Sequence, residues 1–140
     1  FVDAMTAWSN QLIKTNQPTI IVGDFNIAPH EHDVWSSKQL RNVVSHTEPE
    51  ITRLFALRDS LEWVDSGRHF VPMEEKLYSW WSYRNKDWKA SNRGRRLDHI
   101  WVTPSLKSSL KNYSSLPDAR DWESPSDHVP VMVDLTLDNT

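Results

Sequence analysis

Asp24 directly follows the apolar run Ile20-Ile21-Val22 and Gly23. The carboxyl end of a buried strand is a frequent place for active-site groups in α/β sheets. An Asx turn that closes the strand is the competing reading. Asn26 lies two residues on, and an extended backbone would send both side chains to one side. An acceptor and an amide converging on one point suit a water and a phosphoryl oxygen. Asp98 shares a strand face with Ile100 and Val102, which predicts burial and demands a partner. Arg95 or Arg96 would make that partnership a structural ion pair. His128, in Ser126-Asp127-His128-Val129-Pro130, would make it an oriented imidazole whose protonated form the carboxylate stabilises. Ser126 is set aside as a nucleophile, because the chain has no Gly-x-Ser-x-Gly elbow.

Two further clusters suggest chemistry that the sequence does not support. His30-Glu31-His32-Asp33 looks like a metal site, but His-x-His on a helical loop points its rings apart, and no cysteine or third histidine lies nearby. A solvated loop is expected there. Arg68-His69 follows the turn Asp65-Ser66-Gly67 and is expected to anchor a loop, with no catalytic role.

These groups need elements to position them. Phe1, Met5, Trp8 and Leu12 recur at helical spacing, so residues 1 to about 15 read as an amphipathic helix stopped before Pro18. The run 19–22 reads as a strand buried on both faces. Thr47 and Glu50 form a capping box for a helix reaching about Trp63, with Ile51, Leu54, Phe55 and Leu61 as its buried stripe. Leu77 to Tyr83 is aromatic enough for a strand. Leu97 to Val102 is another, with Leu97, His99 and Trp101 on the face opposite Asp98. Val131, Val133, Leu135 and Leu137 alternate with Met132, Asp134 and Thr136 in a last strand. The class is α/β, in one region spanning 1–140.

Composition narrows the function. The chain has 140 residues, no cysteine and a net charge of −3, which fits a folded domain and excludes a uniformly basic DNA-coating protein. No apolar run approaches the ~18 residues of a membrane span, and no membrane partner is expected. No signal-peptide pattern is present, and the lack of cysteine is compatible with a reducing compartment; a cytoplasmic location is expected. The charge is uneven, however. Arg84, Lys86, Lys89, Arg93, Arg95 and Arg96 accompany only Asp87 between positions 84 and 96. Such a segment either docks a polyanion or is a solvated loop. Eight tryptophans are present, and Trp80, Trp81 and Trp88 lie in or beside that segment. They could stack on unpaired bases or sugars, or simply fill the core.

Taken in order, these pieces resemble a known family. Gly23-Asp24-Phe25-Asn26, Tyr78-Ser79-Trp80-Trp81-Ser82-Tyr83-Arg84, Asn92-Arg93-Gly94-Arg95-Arg96-Leu97-Asp98-His99-Ile100 and Ser126-Asp127-His128-Val129-Pro130 are similar to the exonuclease III family. These are abasic-site endonucleases of the endonuclease/exonuclease/phosphatase superfamily. The first and last motifs are common to the superfamily, while the middle two point to its DNA-repair branch. The resemblance spans essentially the whole chain but only the back half of the family's domain. It implies the carboxy-terminal half of a four-layered α/β sandwich, with two packed mixed β-sheets flanked by helices. The amino-terminal half, carrying a metal-binding Glu, is expected to be a missing partner.

The resemblance also implies roles. Asp24 would be the general base and Asn26 would orient the water and the phosphate. Asp98 would hold His128, whose imidazole would hydrogen-bond the phosphoryl oxygen. Asp127, with Asp24, Asn26 and His128, would contribute to a Mg²⁺ or Mn²⁺ site. Trp80 would line the pocket for an extruded abasic sugar, and Tyr83, Arg84, Arg93, Arg95 and Arg96 would hold DNA. The expected substrate is duplex DNA with abasic sites or 3′ ends, cut by a protein that is monomeric when intact and inactive as this half alone. The alternatives are a non-catalytic DNA-binding half-domain and a phosphoinositide or sphingomyelin phosphodiesterase.

Overall fold

The computed structural model describes residues 1–14 and 16–138. Strands β1 (Ile20–Asp24), β2 (Val64–Asp65) and β3 (Asp98–Val102) form an antiparallel sheet in the order β1-β3-β2. Strands β4 (Leu110–Ser115) and β5 (Val131–Leu135) form a second antiparallel pair. Val102, Leu106 and Leu110 pack with Val64, Phe70, Val133 and Leu135 between the two sheets. Helices α1 (Val2–Leu12) and α3 (Glu48–Ser60) cover the opposite face of β3, over Phe25, Ile27, Leu54, Leu57, Trp63 and Trp101. Three short helices, α2 (Ser37–Leu40), α4 (Ser66–Phe70) and α5 (Trp88–Ser91), punctuate the connecting segments. Helices and two packed sheets are thus present as expected for an α/β half-sandwich. The strand pairings among the described residues are all antiparallel, so any parallel pairing of a mixed sheet lies outside them.

Several local expectations need correction. In α1 the covered line is Val2, Met5 and Ser9, while Phe1, Trp8 and Leu12 are 82%, 52% and 60% exposed. Ser9 is fully buried, and its small side chain allows close approach to α3. Residue 15, to which the sequence carried this helix, lies outside the described residues. Strand β1 is not buried on both faces. Ile21 packs on the core, but Ile20 and Val22 stand outward, because the second sheet covers Val102 on that face of the ladder and, among the described residues, contributes no packing over β1.

Helix α3 begins as predicted. The Glu50 carboxylate accepts from the Thr47 N–H at 3.1 Å and the Ser45 N–H at 3.0 Å, satisfying donors that a helix start leaves free. Its covered stripe centres on Leu54 and Leu57, and it ends at Ser60 rather than near Trp63. Residues 77–83 are not a strand. Ser79 and Trp80 both donate N–H groups to the Arg95 carbonyl, whereas Trp81 donates to Asp127. The segment therefore makes single bridges to two neighbours. In β3 the fully covered alternate residues are His99 and Trp101, not Asp98 and Ile100, because α1 and α3 pack on that side. Leu137 lies beyond β5 and is exposed.

The loop at 30–33 is not solvated throughout: Asp33 is completely buried. Arg68 Nη2 lies 2.6 Å and Arg96 Nη2 2.9 Å from its carboxylate, and the same Arg96 nitrogen lies 2.8 Å from Asp65. Burial alone would raise the Asp33 and Asp65 carboxyls, but the Arg96 guanidinium holds both below the ordinary range. Arg68 also donates to the carbonyls of Pro72 and Glu75, so it does anchor a loop. Gly94 is required by close approach, since a Cβ there would lie 2.5 Å from the Tyr78 ring.

Candidate active site

Strands β1 and β3 set the first two groups side by side. Asp24 is the ladder partner of Asp98, and residues directly opposite in a ladder project to the same face. A third segment enters through Trp80, which bridges to Arg95 on one side and to His128 on the other. The His128 N–H donates to Ser126 Oγ at 3.1 Å, closing the turn that delivers the imidazole. His128 Nδ1 then lies 2.8 Å from Asp98 Oδ2, and Nε2 lies 3.6 Å from Asp24 Oδ2. Asp127 Oδ1 stands 4.0 Å from the same Nε2.

A carboxylate is an acceptor, so the short contact places a proton on His128 Nδ1 and turns Nε2 toward Asp24. Asp24 is the most open member, with 46% of its side chain exposed against 19% for Asp98. Partial burial lowers the imidazole pKa. The Asp98 hydrogen bond, reinforced by the charges of Asp98, Asp24 and Asp127, outweighs it and raises the pKa above the ordinary value. The site thus favours an imidazolium close to two acids, with one acid open to solvent.

Asn26 reaches this site differently from the expectation. Its backbone is left-handed, with φ of 55°, rather than extended. Its N–H donates to Asp24 Oδ1 at 2.8 Å. The Asx turn and the active-site position are therefore both properties of Asp24: Oδ1 closes the turn while Oδ2 faces His128. The Asn26 amide oxygen accepts from Ser45 Oγ at 3.4 Å.

Asp24, Asp98 and His128 offer ligand atoms within 4.8 Å of one another, and carboxylate oxygens suit a hard divalent cation. That cluster contains Asp98 in place of the expected Asp127. Asp98 Oδ2, however, is already engaged by His128 and by Ser79 Oγ, at 2.7 Å. Asp24 and Asp127 are the acids with the greater exposure.

A groove of about 710 Å³ borders the site, lined by Trp35, Trp80, Arg84, Arg93 and Arg95 among others. Arg93 lies over the Trp35 ring at 4.6 Å and Arg95 over the Trp80 ring at 5.2 Å. Cation–π pairs of this kind hold guanidinium planes beside aromatic faces. Tyr83 is exposed, and its hydroxyl donates to the Pro125 carbonyl at 2.8 Å. Arg96 does not belong with this set. It is 1% exposed and bound to Asp33 and Asp65, so it has no surface to offer DNA. Trp35 and Ser79 carry no role in the sequence reading: Trp35 is an isolated loop tryptophan, and Ser79 lies within the motif of residues 78–84, where Trp80 drew the functional reading.

Comparison with known proteins places the chain as a whole. Exodeoxyribonuclease from Bacillus subtilis (strain 168) is 33% identical over 142 residues, covering 97% of this chain and 54% of that protein. An AP endonuclease from Archaeoglobus fulgidus superposes with a TM-score of 0.91 at 25% identity, over 97% of this chain and 52% of its own. A 3′-5′ exonuclease from Neisseria meningitidis superposes with a TM-score of 0.88 at 29% identity, again over 97% and 52%. The chain spans about half the length of the curated relatives it matches. The model of the Endonuclease/Exonuclease/phosphatase family matches residues 1–128, and the chain belongs to that family.

Proposed function

We propose that these 140 residues form the back half of a metal-dependent DNA phosphodiesterase that cuts beside abasic sites and trims 3′ ends of duplex DNA. The observation that carries this reading is the His128 imidazole between Asp98 and Asp24, at the border of a groove lined by arginine and tryptophan. Asp24, open to solvent, takes the proton of the attacking water. Asn26, tied to Asp24 by its N–H, orients that water and the phosphate. Asp98 fixes the Nδ1–H form of His128, and protonated Nε2 donates to the phosphoryl oxygen as negative charge builds there. Asp24 and Asp127, with the Asn26 amide at their margin, would hold Mg²⁺ or Mn²⁺, which when bound supplies Lewis-acid stabilisation of the phosphoryl charge. His128, protonated on both ring nitrogens, has no lone pair for the ion. Trp80 receives the displaced sugar, and Arg84, Arg93 and Arg95 hold the DNA backbone.

Coverage of only about half of the relatives supports a second statement: the 140 residues alone do not cut DNA. The test is nicking of an abasic duplex with Mg²⁺, by this chain and by a polypeptide that also supplies the front half. The longer protein is expected to cut and the shorter one to stay at background. Robust cutting by the shorter one would overturn the half-site reading. Cleavage of a phosphoinositide but not of DNA by the longer one would overturn the substrate.

A further inference from the structure

Two consecutive residues, Ser79 and Trp80, each reach one of the acids that bracket His128. Ser79 is fully buried, and its oxygen accepts N–H groups from Leu97 at 3.0 Å and Asp98 at 3.1 Å. A serine oxygen has two lone pairs and one proton. With both lone pairs taken, the proton has one destination, Asp98 Oδ2 at 2.7 Å. That is the same oxygen that accepts from His128 Nδ1. Trp80 Nε1, which can only donate, lies 2.9 Å from Asp127 Oδ2 and leaves Oδ1 turned toward His128 Nε2. The backbone repeats the connection, because Ser79 O accepts the Val129 N–H and the Trp81 N–H donates to Asp127 O.

We propose that Ser79 and Trp80 are positioning residues, the hydroxyl fixing Asp98 beneath His128 and the indole N–H fixing Asp127 beside it, so that the segment facing DNA also sets the geometry of the phosphoryl site. This inference rests on the hydrolase reading above. Its consequence is specific. Trp80 offers its ring to the groove, under Arg95, and its N–H to an acid of the site. Loss of the N–H therefore impairs chemistry even when the aromatic wall is kept. Groups that orient such acids are worth about 10–100-fold in activity or metal affinity.

The test uses imidazole ¹H–¹⁵N spectra of this chain, together with kinetics in a polypeptide carrying the front half. Trp80→Phe keeps a ring and removes the donor. It is expected to lower kcat about 10–100-fold on abasic DNA and on bis(4-nitrophenyl) phosphate alike, with KM for DNA within a factor of about three. Ser79→Ala is expected to lose the His128 Nδ1–H resonance and a similar share of kcat, and Ser79→Thr to restore both. If Ser79→Ala does not fold, Ser79→Cys, a weak donor, takes its place. An unchanged rate on the small ester in Trp80→Phe, or an unchanged Nδ1–H signal in a folded Ser79 variant, overturns the proposal while leaving the hydrolase reading intact. Failure of the unsubstituted longer polypeptide to hydrolyse either substrate with Mg²⁺ overturns the hydrolase reading itself.

Discussion

Asp24 and Asp98 are directly opposed partners in the antiparallel ladder of β1 and β3. Like charges placed opposite one another destabilise a sheet, so this pair is costly unless positive charge lies between them. His128 occupies that place, bonded to Asp98 and facing Asp24. The same arrangement leaves Asp24 as an acceptor open to water and Asp98 as an acceptor already satisfied.

Asp24→Asn separates chemistry from binding. The proton acceptor is lost whatever the substrate, so hydrolysis by the longer protein should fall by roughly 10²–10⁴-fold, the range for general acid–base groups. Removing one anion from a DNA-facing site should leave affinity for abasic duplex unchanged or tighter. Thermal stability should hold or rise slightly, because the opposed charges are relieved. Single-turnover cleavage, fluorescence anisotropy and a melting curve read the three arms.

Arg93, Arg95 and Arg96 are neighbours in sequence with different tasks. Replacing Arg93 and Arg95 by Ala should weaken binding to all DNA sequences and flatten the dependence of log K on log salt, as expected for phosphate contacts. Arg96→Ala should leave that slope alone and destabilise the fold by about 3–5 kcal/mol, the range for breaking a buried pair. Salt titrations and urea melts on the same proteins distinguish the two classes. A salt slope that changes with Arg96→Ala in folded protein would refute this division.

What was legible in the sequence follows the range of the interaction. The Thr47–Glu50 cap is local, so it could be read from four residues and is found in place. Asp24, Asp98 and His128 could be identified because each stands beside a strand, and family motifs bring them together. Arg95 and Arg96 could not be sorted. Adjacent residues in extended chain point to opposite sides, and which side is inward is decided by Asp33 and Asp65, far away in sequence. Which residues of β3 are covered was equally hidden: His99 and Trp101 are covered on one face and Val102 on the other, and apolar residues occupy both alternations of 97–102. Strand β1 was read as covered on both sides from its apolar run, yet Ile20 and Val22 are open. An apolar run records what a surface can pack against, not which part of the chain packs there.

Acid should unfold this protein in two stages, set by different buried groups. His99 donates from Nε2 to the Ile27 carbonyl at 2.7 Å and stacks on Phe25. Burial, helped by the Arg96 charge, lowers its pKa from 6.5 to about 4. The unfolded chain takes up this proton near pH 6.5 while the folded one refuses it until about 4. The His99 contribution is thus complete above pH 6.5 and is lost as pH falls through that window. It amounts to roughly 3 kcal/mol at about 1.4 kcal/mol per pH unit. Asp33 and Asp65 act below it. Their folded pKa values lie under the ordinary value of 3.8, so their stabilisation is complete above that value and lost as pH falls further. Urea midpoints between pH 8 and 3 should therefore fall first between 6.5 and 4, then again below 4. His30, whose pKa burial also holds below the ordinary value, adds to the first fall. His99→Gln keeps an N–H for Ile27 and removes the larger titration, so it should shrink the first fall and leave the second. A first fall undiminished in His99→Gln would assign it to another group.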